Sequence, residues 1–141
     1  MSNFEKHEEA VKVLVVVKMA AGPTPLYSYN GLVDVPDCSV TCKGPTDIEF
    51  ELDDNSYSAG WLFVGYSAGA TSPMPAHPNL GFHSDRRSAT PNKKLTVYNP
   101  AQVKGDVHRF SLYYSNVNVN NGAPFSFDPE TDNDGGPIGG D

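Results

Sequence analysis

Close to the end of the chain, in FSFDPETDNDGG, Asp128 precedes Pro129. The proline nitrogen is a tertiary amide nitrogen, more basic than an ordinary one, and the Asp128 carboxyl can reach its own main-chain carbonyl carbon through a five-membered ring. Attack would expel the prolyl amine and leave a cyclic anhydride. In solution this needs acid, because the leaving nitrogen must be protonated while a carboxylate of ordinary pKa, about 3.9, stays nucleophilic. A fold can replace the acid. It can hold a near-attack geometry, worth ~7 to 11 kcal/mol in favourable cases, aim a donor at the oxyanion, worth roughly 3 kcal/mol, and place a proton donor beside Pro129. Alternatively, Asp128 can activate a water. If a hairpin pairs Phe125 and Phe127 with Val117 and Ser115, Asp128 falls opposite Tyr114, with a bulge near Ser115. That makes Tyr114 the candidate proton donor and Glu130 the candidate acid. An amine trap for the anhydride would have to come from Lys93, Lys94 or Lys104, so hydrolysis is the expected outcome.

The same tail carries a second pattern. Glu130, Asp132, Asp134 and Gly135 fall at positions one, three, five and six of an EF-hand-like loop, with Asp141 at twelve, a spacing that converges oxygens on Ca²⁺. Glu stands where the first Asp is usual, and Asp where the bidentate Glu is usual; a flexible acidic tail explains the same letters. His77, His83, His108 and Asp85 match no zinc spacing. Cys38 and Cys42, on one face of an extended segment, would lie about 13 Å apart, too far for one disulfide or one zinc ion; two reduced, half-buried thiols are expected. With no G-x-S-x-G, P-loop or dinucleotide fingerprint, no cofactor is expected.

The elements that must position these groups are strands. Twelve prolines and thirteen glycines punctuate short β-branched and aromatic runs, leaving long helices almost nowhere to form. VKVLVVVK (11–18) reads as a nearly fully buried strand, and LYSYNGLV (26–33) and SVTCK (39–43) as shorter ones separated by the DVPDC turn. In TDIEFELD, Ile48, Phe50 and Leu52 alternate with Asp47, Glu49, Glu51 and Asp53, a strict period of two with a solvated acidic face. DDNSYSAG is a turn before WLFVGY (61–66). From Ser67 to Asn92 prolines break the pattern, predicting a long irregular loop. KLTVY and DVHRFSLYYS follow as strands, and NVNVNNGAPFSFD as a hairpin around Asn121-Gly122, with Phe125 and Phe127 inward and Ser126 and Asp128 outward. The spacing predicts an all-β chain, a two-sheet antiparallel β-sandwich. Its core should hold Ile48, Phe50, Leu52, Trp61, Phe63, Leu95, Val97, Phe110 and Leu112. Residues 1–10 read as a polar leader, 11–128 as one domain and 129–141 as a flexible acidic, Gly-rich tail.

Seventeen acids against ten bases, a net charge of −7, repel phosphate backbones and anionic membranes, so neither nucleic acid nor membrane is an expected partner. No stretch approaches the roughly 20 apolar residues of a spanning helix. The opening MSNFEKHEE sets acids where a secretory signal needs bases, which reads as soluble and cytoplasmic. The buried strand after a polar leader, FSLYYS near the end and the closing FSFDPETDN together resemble the small bacterial DP-EP family and, more distantly, the AidA/PixA inclusion-body proteins. The chain carries the Asp-Pro step without a Glu-Pro. The resemblance implies a β-sandwich of largely unassigned role, in which the Asp-Pro peptide is a candidate for self-cleavage. Two functions follow: an interaction or structural module with an unseen protein partner, and, as the alternative, a sandwich that cuts its own Asp128-Pro129 bond once.

Overall fold

A computed structural model describes residues 9–19, 22–68, 82–84, 92–99, 105 and 107–133. The larger of two sheets runs in the order β3 (Leu32–Val35), β2 (Thr24–Tyr29), β1 (Glu9–Lys18), β5 (Thr46–Leu52), β8 (Lys94–Asn99), β7 (Phe82–Ser84). In the smaller sheet β9 (Val107–Ser115) has β6 (Leu62–Ala68) on one side. On its other side lie β10 (Phe125–Phe127) and β11 (Glu130–Asn133), and β4 (Ser39–Cys42) lies beyond β11.

Alternation along each strand puts one face of each sheet into a shared core. Val13, Val15, Val17, Tyr27, Tyr29, Ile48, Phe50, Leu52, Leu95 and Val97 point in from the larger sheet. Cys38, Val40, Cys42, Phe63, Phe110, Leu112 and Tyr114 meet them from the smaller one, with Trp61 before β6. Every expected core residue is buried. At about 25 cal/mol per Å² of apolar surface removed from water, such a layer is the main force holding the sheets together.

The sandwich stands as expected, with two qualifications. β1 pairs with β5, and β4 with β11, in parallel, where an antiparallel arrangement was expected throughout. β1 is not buried on both faces: Leu14 is 42% exposed on the outer side, where none of the described strands packs over it. LYSYNGLV is not one strand but a hairpin, since Asn30 and Gly31 both take positive φ (49° and 83°) and turn the chain between Tyr29 and Leu32. DDNSYSAG forms a one-turn helix, α1 (Asp54–Ser58), capped by Asp53, whose Oδ1 accepts from the Ser56 N–H at 2.9 Å. The acidic outer face of β5 is partly neutralised, Glu49 by Lys94 at 3.5 Å and Glu51 by Lys93 at 3.6 Å. Of the expected irregular loop, Ser67 and Ala68 belong to β6 and Phe82–Ser84 to β7; most of the rest lies outside the described residues.

Candidate functional site at Asp128-Pro129

β9 and β10 are joined through residues 116–124, where Asn120, Asn121 and Gly122 take positive φ (52°, 56° and 81°) in a 3-10 turn. The hairpin is there, but with a longer connection than the Asn-Gly signal implies. Its register puts Phe125 opposite Tyr114 and Phe127 opposite Leu112. Glu130 stands opposite Arg109 and Thr131 opposite His108. Both stretches share one register, so Asp128 falls opposite Ser111 and Pro129 opposite Phe110, with no bulge between them. The parity conflict expected near Ser115 is absorbed by the connection, where Val117 is 77% exposed instead of pointing inward.

This register decides what surrounds the bond. Asp128 faces outward and is exposed, and its Oδ1 accepts from the Ser111 hydroxyl at 2.7 Å. Pro129 faces inward and is buried. Its carbonyl accepts from the Phe110 N–H at 3.3 Å. The reciprocal ladder bond of such a pair needs an N–H that proline lacks, so β10 and β11 are separate elements of one line of chain. Just past the proline the line is held on both sides: Glu130 N–H donates to the Cys38 carbonyl at 2.9 Å, and β11 runs between β9 and β4. The sheet therefore extends to Asn133, past the domain end read at Asp128.

Tyr114, the expected proton donor, stands opposite Phe125 and not Asp128, inside the core against Phe127 (ring centroids 4.8 Å apart) and Phe63 (5.1 Å). Burial, with the nearby Tyr27 phenol, pushes its pKa well above the usual tyrosine range, so it is a weak acid for a leaving amine. Glu130 lies on the outer face beside Asp128. It is held by Arg109 (Nε to Oε1, 3.4 Å) and by the Ser39 hydroxyl donating to Oε2 at 3.2 Å. Ser111, the residue in contact with the Asp128 carboxylate, was missed by the sequence reading. Period two along β9 marks it as outward, but naming it requires the register.

Other candidates separate. Glu130 and Asp132 sit on the outer face of an extended strand, about 6.6 Å apart along it at ~3.3 Å per residue, not in a loop that wraps an ion; Asp134 and Asp141 lie outside the described residues. No group of three or more metal-ligating side chains occurs among the described residues. Lys93 bonds Asp54 at 2.6 Å and Lys94 pairs with Glu49, both on the larger sheet's side of the molecule, and Lys104 is outside the described residues. His77 and Asp85 also lie outside them, His83 is on β7, and His108 is buried on the inner face of β9. Cys38 and Cys42 are unbridged and buried on the inner side of β4, with the Cys38 thiol pushed by burial from 9.0 to about 12, far from a reactive thiolate. A cleft of about 500 Å³ lined by Leu14, Glu51, Asp53, Asp54 and Asn55 is remote from Asp128. Its acids serve the α1 cap and the Lys93 ion pairs.

Fold and site together define a small β-sandwich whose chemically distinctive peptide lies within a sheet. No family model matches the chain. No curated protein matches it either. Among solved structures it is similar to the inclusion body protein PixA of Burkholderia cenocepacia J2315, at a TM-score of 0.53 and 9% identity, over 94% of this chain and 99% of that one. At that identity the likeness is one of fold. A multicopper oxidase (TM-score 0.36, 16% identity, 90% of this chain and 43% of that one) and a laccase of Pediococcus acidilactici Pa5930 (TM-score 0.35, 8% identity, 88% and 26%) overlap too loosely to carry an argument. No helix among the described residues is long and apolar enough to cross a membrane.

Proposed function

We propose that this chain is a non-catalytic interaction module that associates with copies of itself through the edge strand β3. The observation that carries this is the edge itself: β3 closes one side of the six-stranded sheet and leaves Leu32 49% and Val33 71% exposed along an edge that pairs with no further strand among the described residues. Such an edge accepts a further strand, and two copies meeting antiparallel there make a self-complementary contact. The fold shared with an inclusion body protein agrees with a protein that assembles. Sedimentation velocity over a concentration series tests it. The native chain should form dimers or larger species, and Leu32→Lys with Val33→Lys should return it to monomer. A native chain that stays monomeric at every concentration rejects the reading.

A second reading, one self-cleavage at Asp128-Pro129, is favoured by a separate observation: the 2.7 Å hydrogen bond that ties the Asp128 carboxylate to Ser111 beside the tertiary amide. The terminal strand's resemblance to the DP-EP family supports it too. A severed segment would stay clamped between β9 and β4, so the cut would show as two masses only after denaturation. Loss of those masses in Asp128→Ala supports it, and a persistent full mass rejects it.

A further inference from the structure

Two Asn-Gly pairs occur in the described chain, Asn30-Gly31 and Asn121-Gly122. In such a pair the glycine amide nitrogen, once deprotonated, can attack the asparagine Cγ. The new N–Cγ bond forms as the Cγ–Nδ2 bond breaks and ammonia leaves. Water then opens the succinimide at either carbonyl to give aspartate or isoaspartate. Glycine favours the step because no side chain obstructs the approach. In an unfolded chain, the two pairs should react at comparable rates.

The fold makes them unequal. Both asparagines have positive φ, 49° at Asn30 and 56° at Asn121, and both are exposed, so neither backbone nor access separates them. The attacking amide does. The Gly122 N–H donates to the Val119 carbonyl at 2.9 Å, and the next amide, of Ala123, to the Asn120 carbonyl at 3.0 Å, which closes the turn from both sides. The Gly31 N–H donates to no acceptor among the described residues, as expected for the second central residue of a two-residue hairpin turn, whose amide points to solvent. A Cβ placed on Gly31 would meet nothing within 4 Å, whereas at Gly122 it would meet the Val117 Cα at 3.7 Å. The nitrogen at Gly31 is therefore free to lose its proton and to swing toward Cγ in open space. At Gly122 the same motion must first break a hydrogen bond.

We infer that Asn30 is a site of spontaneous deamidation in the folded protein and that Asn121, with the same glycine neighbour, is protected. The product adds a negative charge at the head of the β3 edge, and the isoaspartate form also adds a backbone atom to a two-residue turn.

The test is peptide mapping of the full-length protein aged in mildly alkaline buffer, with both sites followed in the same sample. In the folded protein Asn30 should convert at least about tenfold faster than Asn121, the rate equivalent of one hydrogen bond that must be broken. In denaturant the two rates should converge, which shows that the difference belongs to the fold and not to flanking residues. Equal rates in the folded protein, faster loss at Asn121, or a ratio that survives in denaturant would each overturn the inference.

Discussion

Ser111 and Asp128 show what a single register decides. Alternation along β9 and β10 places both on the outer face, and that much can be read from the residue types. Which outward residue meets the carboxylate depends on how many residues the connection absorbs, and nothing in NVNVNNGAP states that its first valine is exposed. A shift of three positions along β9 therefore exchanges Tyr114 for Ser111 as the neighbour of Asp128. The consequence can be measured at the bond. Ser111→Ala removes one exposed hydroxyl, so stability should change by no more than about 0.5 kcal/mol. Scission of Asp128-Pro129 in the folded protein, followed by denaturing mass spectrometry in mild acid, should slow about tenfold as the carboxylate loses the partner that orients it. The rate in denaturant should not change. Tyr114→Phe should leave the folded rate as it is, since that phenol stands opposite Phe125.

At the scale of elements, β11, like β7, is a strand that sequence reading missed, and for β11 the reason is physical. Its outward residues, Glu130 and Asp132, carry charge. Its inward residue is a threonine, so the apolar half of the period-two signal is absent. Thr131 is nonetheless fully buried. Its hydroxyl donates to the Val40 carbonyl at 2.8 Å, accepts from Asn99 Nδ2 at 3.1 Å and lies 3.3 Å from the Cys42 sulfur. The Asn99 bond crosses from β8 in the opposite sheet, so this one residue ties β11 to β4 and to the other layer. Thr131→Val keeps the shape and removes the hydroxyl, leaving buried polar neighbours short of a partner. Urea unfolding should show a loss of about 1 to 3 kcal/mol with an unchanged denaturant slope. A change much below that would mean β11 contributes little to the fold. The Asn30-Gly31 hairpin is the opposite case: its signal stood in the letters, and the uninterrupted look of LYSYNGLV concealed it.

Taken whole, the molecule was legible as two apolar layers, because Ile48, Phe50, Leu52, Leu95, Val97, Phe110 and Leu112 keep strict alternation and all are buried. The parallel pairs β1 with β5 and β4 with β11 were not legible, since they depend on which distant strands meet and no local residue pattern encodes that. The layers also enclose several weak acids, and this gives the whole molecule a pH dependence of definite sign. Burial is the first cause raising the pKa of Tyr27, Tyr29, Tyr66, Tyr114 and Cys38, with Tyr66 moved from 10.0 to about 12 and Cys38 from 9.0 to about 12. Below the ordinary values the folded and unfolded chains hold the same protons, and the stability from burial is fully present. Above them the unfolded chain releases protons that the folded chain retains, so the free energy of unfolding falls with rising pH until the folded values are passed. The melting temperature should therefore hold steady from neutral pH to near 9.0, decline as the Cys38 thiol of the unfolded chain ionises, and fall more steeply beyond 10.0 as the phenols follow. Cys38→Ser, which does not titrate there, should move the onset up to the tyrosine range. Calorimetric melts across this window are the measurement, and a melting temperature that stays level beyond 10.0 would contradict the burial of these side chains between the sheets.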